Sequence, residues 1–581
     1  MNALLPTICA AGAFEFADVY TGIWRFVAPV LAFIVLLRFA KPLLRFRKEP
    51  EVWGWLVMPD EEQLPITHWE NMIGRSKSSD IVVNFPTISR NHAVLTRYGD
   101  GSWSITDVGS RGGVLLNGVA VRYSAVKYGD VITLGGIEMV LAPMTPEEVE
   151  EQNRLRTRPS EMRLPGLTLL LLTFFQCGTA LQHTTSCEAE NLVRIVTAFG
   201  VLIAVQWILF FTLKLLHRNS FEIEGLAFFL STLGLSVIAS YRPSAVSKQL
   251  ICVVGGVIIY LVLCWSLRDL KRAKLCRYLA AAGGLLLLAI NLVVGLIMKQ
   301  ETNGASNWIM LGGFSLQPSE LVKICFIYVG ASTLDRIVTK RNLITFIIYS
   351  VAVCGSLALI NDFGAALIFF VAFLVIAFLR SGSFATIALA CTATGLAGTL
   401  AVAARPHIMR RFSNWGNVWN DVQGGGFDQS RAMMCVAAGG LFGVGAGNGI
   451  FKLQHITAPD TDYVFAYVCE EWGLLLGLLM IVAVIVMALF VFRSCIVGRS
   501  SFYTIGACAA VTILMTQTIL NALGTMDILP LTGVTFPFVS NGGSSMLASW
   551  GLLAFIKASD TRQNASLAVK VADASEVEQY E

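Results

Sequence analysis

Charged residues are scarce: Asp, Glu, Lys and Arg make up 14% of 581 residues, against the quarter or so usual in soluble globular chains. An all-soluble protein is excluded on that ground. Metal-finger spacing is missing as well. Thirteen cysteines contain no CxxC pair and none falls within 51–150, so neither a zinc site nor a disulfide framework is indicated. Most of them read as buried apolar filler. The first 21 residues lack a basic n-region, and Arg25 and the run Arg38 to Lys48 flank the first apolar stretch, which therefore reads as a start-transfer anchor and not a cleaved leader. No Lys–Ser or Lys–Thr follows the glycines between Gly439 and Gly449, which excludes a nucleotide-binding phosphate loop.

What is abundant is apolar sequence, 55% of the chain with a mean hydropathy of +0.65. Runs long enough to span a bilayer core of about 30 Å lie near 22–40, 166–183, 192–216, 222–241, 249–267, 277–298, 319–336, 343–360, 363–379, 384–404, 463–492, 502–524 and 543–557. The expectation is a multi-pass helical membrane protein with thirteen spans. Basic clusters at Arg38 to Lys48, Arg268 to Lys274, Arg336 to Arg341 and Arg493 to Arg499 fall on one side of this arrangement. Short cytoplasmic loops keep such an excess, so the N-terminus is expected outside, 41–165 and the C-terminus in the cytosol, and the polar stretches 299–318, 405–462 and 525–542 outside. The net charge of +4 thus reports topology in a cell membrane and contact with lipid, not nucleic-acid binding.

Six regions follow: an anchor at 1–48, a polar insert at 49–144, a linker at 145–165 rich in Glu, Arg and Pro, two accessory spans at 166–217, a ten-span block at 218–560 and a cytosolic tail at 561–581. The accessory spans carry few polar residues and no motif, so packing or partner contact is their expected role. The insert is turn-rich, with strand-like runs at Asp80 to Val83, His92 to Leu95, Trp103 to Ile105 and Val131 to Leu134. That pattern predicts a small all-β sandwich.

Within the insert stand Ile73–Gly74–Arg75, Ser89–Arg90–Asn91–His92, Asp107 to Gly113 and Leu116–Asn117–Gly118. These motifs resemble the forkhead-associated (FHA) family over essentially the whole segment. The resemblance implies loops at one end of the sandwich that bind a threonine-phosphorylated protein. Arg75 and Ser89 would hold the phosphate by charge-assisted hydrogen bonds, with Arg90, Ser110 and Arg111 beside them. His92 reads as a satisfied core histidine. The family's asparagine after the Ser–Arg pair, which holds the peptide backbone, is replaced here by Gly112.

In the ten-span block, acids crowd the mouth of one apolar run: Asp460 and Asp462 before Val464, and Glu470 and Glu471 inside it. A carboxylate at bilayer depth costs about 3 kcal/mol or more, so chemistry at the membrane surface is the leading explanation. Four segments then stand in order: Asn307–Trp308–Ile309 with Gln317 to Lys323; Asn361–Asp362–Phe363–Gly364; Gly439 to Gly443 through Thr461–Asp462–Tyr463 to Glu471; and Leu529–Pro530 to Ser545. Together they resemble the SEDS family of RodA, FtsW and SpoVE across the whole block.

That resemblance implies peptidoglycan polymerisation, an inverting glycosyl transfer that joins lipid II units outside and releases undecaprenyl pyrophosphate. The family's essential aspartate matches Asp462, which would be the general base. Trp308, Gln317, Glu320, Lys323, Arg410, Arg411, Ser540, Gly542, Gly543 and Ser544 are the expected substrate-binding residues. Lys323, Arg405, Arg410, Arg411 and Arg431 are candidate cations for the departing pyrophosphate, with a divalent ion such as Mg2+ or Mn2+ as a further candidate and no metal ligands assigned. Asp460 is the rival carboxylate, Glu470 and Glu471 are read as partners of cations in the bundle, and Glu320 and Lys323, at i and i+3, are placed to form an ion pair. Asn541 stands where the family has tyrosine. A class B penicillin-binding transpeptidase is the implied partner. Two other readings stand beside the enzyme: a transporter (flippase) of the lipid-linked precursor, and a phosphopeptide-reading scaffold with an inactive membrane part.

Overall fold

The computed structural model describes residues 4–45, 50–77, 79–98, 101–155, 165–218, 220–268, 270–298, 309–311, 314–335, 340–381, 384–404, 414–450, 455–562 and 565. Each of the thirteen apolar runs carries helix. Among the described residues, seven helices are long and apolar enough to cross a membrane, and two shorter apolar ones accompany them.

One run departs from expectation. The stretch 463–492 is not a single helix but two, Val464–Trp472 and Leu474–Ile496, broken at Gly473. Gly473 has φ +88°, and a Cβ on it would overlap the Leu441 carbonyl oxygen. The break exists because a glycine turn packs into it: Leu474 N–H donates to Gly440 O at 2.9 Å, and Val444 and Gly445 N–H donate to the Glu470 and Glu471 carbonyls at 3.0 Å each. A glycine inside a long apolar run ordinarily costs a helix only about 1 kcal/mol, so Gly473 alone does not signal the interruption.

The insert is a two-sheet β sandwich. In spatial order its six-stranded sheet runs Gln63–Pro65, Trp55–Val57, Ile137–Ala142, Val131–Leu134, Val114–Leu116 and Val119–Val121; the five-stranded sheet runs Ile81–Val82, Glu70–Gly74, Ala93–Arg97, Trp103–Asp107 and Tyr123–Val126. Leu56, Ile73, Leu95, Ile105, Ile132 and Leu141 fill the space between them and are fully buried.

This domain is seated on the membrane part. The buried Glu51 carboxylate takes a two-pronged contact from Arg499, Nε at 2.9 Å and Nη2 at 3.2 Å. Glu70 accepts from Ser500 Oγ at 3.0 Å and Ser501 N–H at 3.1 Å, at the first turn of helix Ser501–Thr525. Acidic groups are stabilised there by the unpaired N–H groups and the positive end of the helix dipole. Trp69 packs edge-on against Tyr503 at 6.1 Å.

The accessory helices Pro165–Ser186 and Ala189–Leu215 hold more polar residues than their sequence suggested at first reading. Gln176 Nε2 donates to Gln206 Oε1 at 2.9 Å and to Thr232 Oγ1 at 3.1 Å, and His183 Nε2 meets Ser236 Oγ at 2.8 Å. Side-chain hydrogen bonds of this kind act as glue between helices where lipid removes the hydrophobic drive. They join these helices to core helix Glu222–Tyr241.

Candidate functional site

The loop before helix Val464–Trp472 starts at Ala458, in the left-handed region with φ 51°. Its carbonyl accepts N–H groups from Thr461 at 3.3 Å and Asp462 at 3.1 Å, which folds the acidic segment into a tight turn. Three successive carbonyls of this turn are then held from outside. Asn541 N–H donates to Asp460 O at 2.8 Å, Ser540 Oγ to Thr461 O at 2.7 Å and Asn521 Nδ2 to Asp462 O at 3.0 Å. Gly533, φ +68°, passes close by: a Cβ there would stand 3.4 Å from Asp462 Oδ2.

The two aspartates differ in environment. Asp460 is buried, 3% exposed, and accepts Asn541 Nδ2 at 2.6 Å. Asp462 is half-buried. The residue that replaces the expected tyrosine, Asn541, thus has a contact of its own: it fixes the neighbouring acid.

Beside the turn opens a cavity of about 450 Å³, lined by Asn414, Trp415, Gln423, Gly424, Gly425, Phe427, Asp428, Gln429, Thr457, Tyr463 and Leu531. Its walls are tied down: Trp415 Nε1 donates to Ile528 O at 3.1 Å, Thr457 N–H to Asp428 Oδ1 at 3.2 Å and Gln429 Nε2 to Gly524 O at 2.7 Å. Of these residues only Tyr463 and Leu531 fall within the motif segments of the sequence. For the others, an indole and amides in a polar loop were the signal available, and that signal is weak.

Gln317 and Ser544 meet, Gln317 N–H donating to Ser544 Oγ at 3.1 Å, while Gln317 Nε2 donates to Asp362 Oδ2 at 3.1 Å. Glu320 and Lys323 pair at 2.6 Å with side chains 7% and 1% exposed, and Gly542 N–H donates to Ser540 O at 2.9 Å before helix Gly543–Ala558. Glu470 and Glu471 meet the glycine turn. Their carboxylates accept backbone N–H groups of the glycine turn, Ile450 at 2.9 Å and Gly447 at 3.0 Å, and Glu471 also takes Ser240 Oγ at 2.5 Å. Arg431 lies over the Phe427 ring at 3.4 Å and donates to Phe427 O at 3.2 Å. Trp308, Arg405, Arg410 and Arg411 lie outside the described residues.

At the sandwich end, the loops carrying Arg75, Ser89 and Arg111 converge. Arg75 N–H donates to Ser89 O at 3.0 Å, and Arg111 N–H to Ser89 Oγ at 3.1 Å. Ser89 N–H donates to His92 Nδ1 at 3.2 Å, leaving Nε2–H for Gly113 O at 2.8 Å, so the buried imidazole braces both loops. Asp107 Oδ1 accepts Ser110 N–H at 2.8 Å. Arg75, Arg90 and Arg111 are exposed, as an anion site needs. A Cβ at Gly112 would sit 3.0 Å from Gly135 Cα. The family's asparagine is therefore missing where the backbone leaves little room for any side chain.

Comparison with known proteins agrees with this division. Residues 71–135 match the model of the FHA domain. Residues 211–564 match the FtsW/RodA/SpoVE model, described as a cell cycle protein. The peptidoglycan glycosyltransferase RodA of Mycobacterium tuberculosis is 28% identical over 340 residues, covering 55% of this chain and 71% of the relative. A probable peptidoglycan glycosyltransferase FtsW of Moranella endobia is 32% identical over 272 residues, covering 45% and 72%. A chain from a solved peptidoglycan synthase complex aligns with TM-score 0.49 and 24% identity over 58% of this chain and 96% of its own. With more than half of its length matched by one family model and an FHA domain set ahead of it, the chain belongs to the FtsW/RodA/SpoVE family.

Proposed function

We propose that this protein is a peptidoglycan glycosyltransferase that polymerises lipid II, with Asp462 as the general base, and that its FHA domain binds a threonine-phosphorylated protein on the opposite membrane face. The observation that carries the reading is the half-buried Asp462 carboxylate on a braced turn beside a cavity walled by Trp415 and Tyr463. A sugar hydroxyl is a weak nucleophile. A base placed to take its proton as it attacks contributes about 10²–10⁴-fold. The new bond joins that oxygen to the anomeric carbon of the lipid-linked donor, the bond from that carbon to the pyrophosphate oxygen breaks with inversion, and the proton passes to Asp462. An indole face beside the site suits a sugar ring.

The departing pyrophosphate gathers negative charge, which a divalent cation would neutralise. Among the described residues no group of three or more His, Cys, Asp or Glu side chains comes together to hold one. Opposite faces follow from one element: Ser500 touches Glu70 of the FHA domain, and Asn521 touches Asp462. About 30 Å of helix separates them at 1.5 Å per residue. The basic ends at Arg493 and Arg499 favour the FHA side as cytosolic, which supports an outer position for Asp462. A class B penicillin-binding transpeptidase is the partner that would crosslink the product.

Purified protein, lipid II and such a partner, resolved on a glycan gel, test the enzyme. Asp462→Asn is expected to lower polymer formation at least 100-fold, and full activity would remove the base. For the cytosolic side, Arg75→Ala should abolish retention of a phosphothreonine peptide by the full chain; equal retention would count against that site.

A further inference from the structure

The turn that carries Asp462 is held by its backbone, and this points to a residue that no motif had marked. Asn521 lies near the end of helix Ser501–Thr525 and is 1% exposed. Its Nδ2 donates twice, to Asp462 O at 3.0 Å and to Val534 O at 2.8 Å. Both partners are carbonyl oxygens, so the orientation of the amide is settled: its nitrogen must face them. Among the described residues, the buried Oδ1 has no hydrogen-bond partner. A buried orphan acceptor costs about 1–3 kcal/mol.

The two donations join the acidic turn to the segment that passes Gly533, whose backbone lies against the Asp462 carboxylate. Ser540 and Asn541 hold the two preceding carbonyls from the same side of the loop pair. Three consecutive peptide units are thereby fixed, although none of these contacts touches the carboxylate itself. A base must lie within hydrogen-bond reach of the proton it removes. A displacement of 1 Å from productive geometry can lower rate about 100-fold.

We infer that Asn521 is a positioning residue for Asp462, acting with Ser540 and Asn541 through the backbone of the 460–462 turn. The inference rests on the role of Asp462 given above. It separates two duties within the motif segments: Ser540, expected from the sequence to bind substrate, here holds the loop that bears the base.

The experiment compares Asn521→Ala, Asn521→Asp, Ser540→Ala, Ser540→Thr and Asp462→Asn, purified as full chains, in the glycan assay at varied lipid II. Thermal unfolding is measured on the same samples. For folded Asn521→Ala and Asn521→Asp, kcat is expected to fall about 10–100-fold with KM changed less than about threefold. Ser540→Thr, which keeps the hydroxyl, should lose less than Ser540→Ala. A merely structural role would lower the melting temperature and leave kcat per folded molecule intact. That result, or a loss confined to KM, overturns the inference. Should Asp462→Asn itself retain full activity, the base assignment falls instead; an inactive Asp462→Asn beside a fully active, folded Asn521→Ala removes the positioning role alone.

Discussion

Asp560 shows how single charges survive in this apolar chain. It follows helix Gly543–Ala558, is 1% exposed, and receives Arg562 Nη2 at 2.8 Å and Nε at 2.9 Å. Burial alone would raise its pKa; the Arg562 guanidinium, with Lys557 nearby, overrides this and holds the carboxyl below the usual range. A carboxyl whose folded pKa lies below its unfolded value contributes stability above the unfolded value, near 3.9, and loses it as pH falls through the folded one. The melting temperature should therefore show no Asp560-dependent change from pH 5 to 8. Asp560→Asn should lower stability by about 3–5 kcal/mol in that window, because it strands Arg562 beside a single remaining carboxylate. A loss that appeared only at acid pH would contradict this. The contrast with Asp462 is instructive. Residue type and motif made Asp462 legible in the sequence. The pairing of Asp460 with Asn541 was not, since the two are 81 residues apart and no local periodicity relates them. Asn521 was hidden for a different reason: one amide in an apolar run reads as a tolerated polar residue until its partners are seen.

Among elements, the helices were the most legible and the interruption at Gly473 the least. Length and hydropathy placed helix at every apolar run, because a bilayer demands continuous internal hydrogen bonding. The same signal concealed the break, as the run stays apolar overall across Gly473 despite Glu470 and Glu471 just before it. Its consequence is geometric: the glycine turn enters the gap, and the Glu470 and Glu471 carboxylates cap that turn's N–H groups. With φ 88° and ψ 160°, Gly473 occupies backbone space essentially restricted to glycine, where another residue costs about 1–3 kcal/mol. Gly473→Ala adds overlap with Leu441 O. It should lower the melting temperature and reduce polymerisation by loosening the segment that follows Asp462; an unchanged melting temperature would show that the turn can yield. The sandwich was partly legible. The runs near 81, 93, 103 and 131 became strands, but Trp55–Val57 and Gln63–Pro65 were missed, since three-residue strands are too short for alternation to stand out.

For the whole molecule, the relation between the two domains could not be read from sequence. Glu51 and Arg499 are 448 residues apart, and each alone looks like a surface charge. Folded, they form a buried pair with side chains 6% and 5% exposed, and Arg499 Nη2 also donates to Thr561 O at 2.7 Å. One guanidinium thus ties the FHA domain to the chain's last described segment and to the start of helix Ser501–Thr525. Strand Glu70–Gly74 runs from this seat to Arg75, about 13 Å at 3.3 Å per residue. The phosphate loop and the seat are therefore opposite ends of one strand, as the seat and Asn521 are opposite ends of one helix. The linker at 145–165 is not the sole connection between the domains, so a bound phosphoprotein acts on a domain already fixed to the enzyme. Removing one partner of a buried pair costs about 3–5 kcal/mol, enough to release a domain held by a few contacts. Arg499→Ala should therefore speed hydrogen exchange at Ser501 and Trp69, whose N–H groups bond across the seat, while phosphothreonine-peptide affinity stays within about twofold, because Arg75 and Ser89 do not touch Arg499. Parallel loss of peptide binding would mean that seat and phosphate loops form one cooperative unit. Unchanged exchange would mean that Glu70 and Trp69 hold the domain without the ion pair.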